Sequence, residues 1–234
     1  MTTTLIRHAR TPYSARYLVN GDPSLPIALD KDGVHACHEA RTTLPPATRT
    51  WVVSAFLRTQ QTARLLSADT SLQPAVLPQL NELDYGDFEG GPFLQYADWL
   101  RWNGPHTRPP KSAESQHEGI RRMLLGVRAA LKFPGPRTVV AHGLLLSVLG
   151  WDLTRTAEAP IPLFFPEAPC LAPLTYSDSY LDERAQALLA TLAYAAHDSV
   201  PASPGTNKTR AETPPGLATV GGLSVSSEEQ SPHA

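Results

Sequence analysis

The chain has 234 residues, a formal net charge of -2 from 20 Lys+Arg against 22 Asp+Glu, and 41% hydrophobic residues. A chain of this size buries about 70% of its unfolded surface, so its core needs no disulfide staples, and its two cysteines, Cys37 and Cys170, lie far apart. The balance excludes the basic excess with which nucleic-acid proteins neutralise phosphates, and no apolar run approaches the ~20 residues of a membrane span. With no basic leader ahead of an apolar stretch at Met1, the expectation is a cytoplasmic protein with neither a nucleic-acid nor a membrane partner. The oligomeric state is not readable at this level, a homodimer being one option.

The elements follow in chain order. Thr4-Leu5-Ile6, Trp51-Val52-Val53 and Thr138-Val139-Val140-Ala141 are short, β-branched runs bounded by polar or turn residues. Strands buried on both faces of a parallel sheet have this form. Helix formers fill 33–43 and 59–68, between the strands. Ser115 with Glu118 makes a capping box that opens a helix to about Lys132, and Pro134-Gly135-Pro136 stops it. Alternating strands and helices predict an α/β fold with a mostly parallel central sheet flanked by helices. The segment from Phe93 to Lys111 reads as a loop-and-helix insertion. Residues 170–176 with 186–192 form either an edge-strand hairpin or, by the Ala and Leu content of 185–196, a strand followed by a helix. From Ser199 to Ala234 the chain is rich in Pro, Ser, Thr and Gly and lacks aromatics, which predicts a disordered tail behind a domain of residues 1–198.

The chemistry lies at the strand ends. Arg7-His8 follows the first strand, Ser54 to Arg58 the second, and His142-Gly143 the third. Ligands of open α/β sheets bind beyond these carboxyl ends, so two arginines and two histidines converge on one crevice. Arginine holds phosphate or carboxylate through a planar fork of donors, and histidine serves as nucleophile, acid or base near neutral pH. The loop Leu80–Gly90 adds Glu82, Asp84, Asp87 and Glu89; a carboxyl partly desolvated beside Leu83 and Tyr85 is a proton donor. The other three read as solvated loop charges.

These residues resemble a known family. Leu5-Ile6-Arg7-His8-Ala9-Arg10-Thr11 is similar to the Arg-His-Gly signature of the histidine phosphatase superfamily, the phosphoglycerate mutase-like proteins. Ser54 to Ala63 resembles its second arginine motif, Glu82 with Tyr85 to Gly90 its acid loop, and Ala141-His142-Gly143 its second histidine. Asn20-Gly21-Asp22 through Leu29 to Gly33 resembles the linker into the first helix, and Ala113-Glu114-Ser115 the Gly-Glu-Ser helix start. The resemblance covers about residues 2 to 198. It implies a phosphoglycerate mutase-like sheet with one antiparallel edge strand, and it favours the hairpin reading, with the domain ending near His197.

The resemblance also implies roles. His8 is the nucleophile that becomes a phosphohistidine, Arg7 and Arg58 hold the phosphoryl oxygens, His142 adds a donor, and Glu82 is the acid and then the base. Ser14 and Gly143 complete the phosphate-binding set. No metal or other cofactor is implied, and the partner is a small phosphorylated substrate. Ala9 stands where glycine is usual, Arg10 where Glu or Gln is commonest, and Ser14 where mutases carry a phosphate-contacting asparagine. The expected activity is therefore a phosphomonoesterase, with a phosphoglycerate-type mutase or a non-catalytic phospho-ligand module as rivals. A metal site on His35, Cys37 and His38 is a further rival, but three ligands within four residues do not close a tetrahedral site. Tyr96, Trp99 and Trp102 pack either on a leaving group or in a satellite core, and Arg101, Arg108 and Lys111 either meet a second anion or are solvated.

Overall fold

Alternate residues along three strands divide the apolar side chains between two faces of one sheet. In β1 (Thr2–Arg7), β2 (Thr50–Val53) and β4 (Arg137–Ala141), Leu5, Val139 and Val52 stand in one row across the register, and Ile6, Val140 and Val53 in the next. All six are fully buried. The first row joins a core with Ile120, Met123 and Val127 of α4 (Gln116–Ala130) and with Leu145 and Leu149 of α5 (Gly143–Thr154). The second row packs on Cys37 of α1 (Lys31–Ala40) and on Ala63 and Leu66 of α2 (Leu57–Ser67). Helices thus cover both faces, which is why these strands carry continuous rather than alternating apolar runs.

The computed structural model describes residues 1–42, 48–69, 71–112, 114–156 and 159–198, all within the unit Met1–Val200. The tail expected over 199–234, Thr43 at the expected end of the first helix, and Ala113 lie outside the described residues. With β3 (Ala75–Val76) and β5 (Leu174–Ser177), the sheet order is β3-β2-β4-β1-β5. β5 pairs antiparallel with β1, and the other pairings are parallel. Because β1 and β2 flank β4, the residues after all three strands leave one edge of the sheet side by side. Asp30 caps α1 by accepting from Gly33 N at 2.7 Å. The capping box of α4 forms as expected from Ser115 and Glu118. The insertion comprises α3 (Phe93–Asn103) and a loop to Lys111.

The hairpin reading of residues 185–196 is overturned. Those residues, His197 included, lie in α6 (Asp178–Asp198). Leu181, Ala185, Leu188 and Leu192 recur at steps of four, three and four and are all buried, which is a helical stripe. The strand before it is Leu174–Ser177 rather than 170–176, and its partner is β1, which supplies the antiparallel edge without a hairpin. Among the described residues no helix is long and apolar enough to cross a membrane.

Candidate active site

His8 enters the site directly from β1, its backbone N–H still in the ladder on Ala141 O at 3.0 Å. Its Nδ1 donates to Ala9 O at 2.7 Å. A carbonyl only accepts, so the proton resides on Nδ1 and Nε2 carries the lone pair. That lone pair accepts from Arg58 Nε at 3.0 Å. Arg58 sits in the first turn of α2, 4.1 Å over the ring of Phe56. Its Nη1 donates to Asn20 Oδ1, and its Nη2 donates to Asn20 O at 3.0 Å and to His142 Nδ1 at 3.2 Å. The far nitrogen of His142, Nε2, then donates to Ser54 Oγ at 2.8 Å. Ser54 Oγ continues to Thr59 Oγ1 at 2.9 Å, which donates to Phe56 O at 2.8 Å. The two imidazoles stand edge to face, 5.3 Å between centroids.

This arrangement fixes the charges. Burial, and then the Arg58 cation, hold both His8 and His142 well below the usual histidine range. Both rings are neutral at neutral pH, as the hydrogen-bond directions require. Burial also lowers Arg58 to about 10, so it stays a cation. Its orientation comes from the Asn20 amide, whose Nδ2 donates to Glu89 Oε1 at 2.7 Å while Gly21 N donates to Glu89 Oε2 at 2.7 Å. Only glycine fits at position 21, because a Cβ there would lie 1.9 Å from Leu83 O. Glu89, expected as a solvated charge, is therefore a clamp.

Arg7 approaches from the other side. Its Nη1 donates to Glu167 Oε1 at 2.8 Å and to Ala168 O at 2.7 Å, while its buried Nε has no partner. Gly143, first residue of α5, passes in ordinary contact with this guanidinium; a Cβ there would be 3.5 Å from Cζ.

Glu82 lines the same cleft, on a loop held by its main chain. Arg122 of α4 donates to the carbonyls of Gln79, Asn81 and Glu82 at 2.9, 2.8 and 3.1 Å. Glu114 grips Arg122 in turn, Oε2 to Nε at 2.9 Å and Oε1 to Nη2 at 2.6 Å. Of the other loop carboxylates, Asp84 accepts from Gly86 N at 2.9 Å and Asp87 pairs with Lys111 at 2.7 Å.

The cleft beside these groups has a volume of about 430 Å³ and includes Ser14 in its wall. Ser14 Oγ accepts from Thr11 N at 2.9 Å, so this hydroxyl shapes the loop after β1. Tyr96 is buried edge-on to Tyr85 at 4.9 Å and also lines the cleft; Trp99 packs on Phe88, and Trp102 is 86% exposed. Arg101 lines the mouth, whereas Arg108 is taken by Glu118 at 2.6 Å. Cys37 is buried in the core while His35 and His38 are exposed on α1, so the three do not converge. Among the described residues no group of three or more His, Cys, Asp or Glu is placed to hold a metal ion.

The structure thus brings Arg7, His8, Ser14, Arg58, Glu82 and Gly143 to one cleft, with His142 fully buried behind it against Arg58 and His8. Sequence reasoning did not assign roles to Asn20, Glu89, Arg122, Ser54 or Glu167. Asn20, Ser54 and Glu89 had a signal, since all three fall within the motifs quoted above, whereas Arg122 and Glu167 had none.

Two guanidinium groups and two neutral imidazoles meet at the carboxyl ends of parallel strands, a set of donors whose chemistry suits a tetrahedral oxyanion. The family is shown directly: residues 3–187 match the histidine phosphatase superfamily (branch 1), and the chain belongs to it. The probable phosphoglycerate mutase GpmB of Yersinia pestis is 28% identical over 154 residues, 62% of this chain and 71% of that protein. The crystal structure of a putative alpha-ribazole-5'-P phosphatase from Escherichia coli superposes with a TM-score of 0.58 at 23% identity, covering 75% of this chain and 89% of that one. A mycobacterial glucosyl-3-phosphoglycerate phosphatase, solved in complex with VO3, gives a TM-score of 0.52 at 26% identity over 65% and 81% of the two chains.

Proposed function

We propose that the protein is a phosphomonoesterase that works through a phosphohistidine on His8. The observation that carries this reading is the lone pair on His8 Nε2, held toward the Arg58 cation by the Nδ1 bond to Ala9 O. When a phosphomonoester enters, its oxygens take over the donors of Arg58 and Arg7, which frees Nε2 to attack phosphorus in line. The P–N bond forms as the ester P–O bond breaks, and Glu82 gives its proton to the departing alcohol oxygen. Water then attacks the phosphohistidine, Glu82 accepts its proton, the P–N bond breaks, and phosphate leaves. Splitting one displacement into two is what a covalent intermediate achieves. Preset donors aimed at the phosphoryl oxygens stabilise the charge that develops in each half. A phosphoryl dianion beside His142 also favours its protonated form, adding a cation where the empty site has none.

The name of the Yersinia relative favours a second reading, a mutase, in which the phosphohistidine passes its group to an acceptor hydroxyl instead of water. One experiment addresses both. Release of inorganic phosphate from a panel of phosphomonoesters, with a chelator present, is expected, and it is abolished in His8→Ala. No release from any ester, or transfer to a second hydroxyl without release, overturns the hydrolase reading.

A further inference from the structure

Beyond the phosphate grip, the cleft carries polar atoms that the protein itself does not satisfy. Among the described residues, five buried side-chain atoms lack a partner, and three of these belong to cleft-lining residues: Arg7 Nε, Tyr96 Oη and Gln116 Oε1. Tyr96 is 2% exposed and Gln116 5%. The Gln116 amide is oriented by Nε2, which donates to Leu163 O at 3.2 Å, so Oε1 is left as an acceptor without a donor. A buried polar atom without a partner costs about 1–3 kcal/mol, so the two uncharged ones, Tyr96 Oη and Gln116 Oε1, are where a ligand hydroxyl gains a hydrogen bond.

The charges around these atoms narrow the ligand further. Leu18, Phe93, Leu94 and Phe164 wall the cleft with apolar surface. Arg101 at the mouth is already paired with Asp98 at 3.1 Å and lies 5.7 Å from the Phe164 ring centroid. Glu167, on Arg7, places a carboxylate at the rim. An alcohol with a second negative group finds repulsion there, and each cation among the described lining residues, Arg7, Arg58 and Arg101, already has a partner.

Resting on the phosphomonoesterase reading, we propose that the leaving alcohol is neutral and hydroxyl-bearing, of the sugar or polyol type. Gln116 Oε1 accepts from one hydroxyl, Tyr96 Oη pairs with another, and Glu167 selects against carboxylated esters.

Three esters of simple alcohols separate the contributions: glycerol 3-phosphate, 3-phosphoglycerate, which replaces its CH₂OH by carboxylate, and propyl phosphate, which has no hydroxyl. The expected kcat/KM for glycerol 3-phosphate exceeds that of each of the others by about tenfold or more. Glu167→Gln narrows the gap to 3-phosphoglycerate, and Gln116→Met and Tyr96→Phe narrow the gap to propyl phosphate. Tyr96→Phe also raises the thermal midpoint, since it removes a hydroxyl that nothing in the protein satisfies. Binding of the three esters to the His8→Ala protein, by calorimetry, is expected in the same order. Flat ratios in the wild type, or ratios that the Gln116 and Glu167 variants leave unmoved, overturn this inference while the hydrolase reading stands. No phosphate release from these esters or from an aryl phosphate overturns the hydrolase reading instead.

Discussion

At Arg58 one guanidinium meets His8, both oxygens of Asn20, and His142. Lysine has the charge but not the planar fork, so it cannot serve acceptors in these directions at once. Arg58→Ala is expected to lower kcat by about 10²–10³, the range for a lost oxyanion donor, and Arg58→Lys to recover little of it, as steady-state kinetics on an aryl phosphate will read. Glu89 acts one step removed. In Glu89→Gln one carboxylate oxygen becomes an NH₂ facing a donor, either Asn20 Nδ2 or Gly21 N, and Asn20 loosens its hold on Arg58. Because Arg58 binds phosphoryl oxygens in this account, the inhibition constant of inorganic phosphate is expected to rise along with the fall in kcat. An unchanged inhibition constant would leave Glu89 with a structural role alone.

The elements add a second order of control, because Glu82 is positioned through its backbone. Arg122 on α4 ties three loop carbonyls, those of Gln79, Asn81 and Glu82, and Glu114 immobilises Arg122. Arg122→Met is therefore expected to slow alkyl phosphates far more than aryl phosphates, since a phenolate leaves without the proton that the acid proposed at Glu82 would supply. Equal losses on both ester types would show that Arg122 does not act through the acid. The same scale shows where sequence reading succeeded and where it failed. β1, β2 and β4 were legible because burial on both faces demands continuous β-branched runs. Residues 185–196 were not settled, although their stripe at Leu181, Ala185, Leu188 and Leu192 is helical. What decided the matter is the pairing of β5 with β1, 169 to 175 residues apart, from Leu5 opposite Leu174 to Thr2 opposite Ser177.

Across the whole molecule, the groups that follow strands were readable, because topology alone carries them to one edge of the sheet. Their partners were not. Glu167 reaches Arg7 from 160 positions away, and Glu89 reaches Gly21 from 68; no local pattern encodes such pairings. The molecule also stores three neutral buried imidazoles, His8, His142 and His117, the last lowered to about 4 by burial and by His106. Their folded values lie below the unfolded one near 6.5, so the unfolded chain binds more protons in the interval between. Their contribution is complete above about pH 6.5 and is lost as the pH falls below that value. Denaturant midpoints are expected to decline over this acid range, and His117→Asn to flatten the decline by about one proton. By the same sign, the acid limb of kcat/KM set by His8 is expected below the ordinary histidine range.

Rapid quenching of wild-type protein with a radiolabelled phosphomonoester, followed by peptide mapping, addresses the nucleophile itself. An acid-labile, alkali-stable phosphoryl group on the peptide holding His8, forming and decaying within one turnover and missing from His8→Ala, is the outcome this account requires. Phosphate released in a single turnover with no such adduct, or with the label on another side chain, would contradict it.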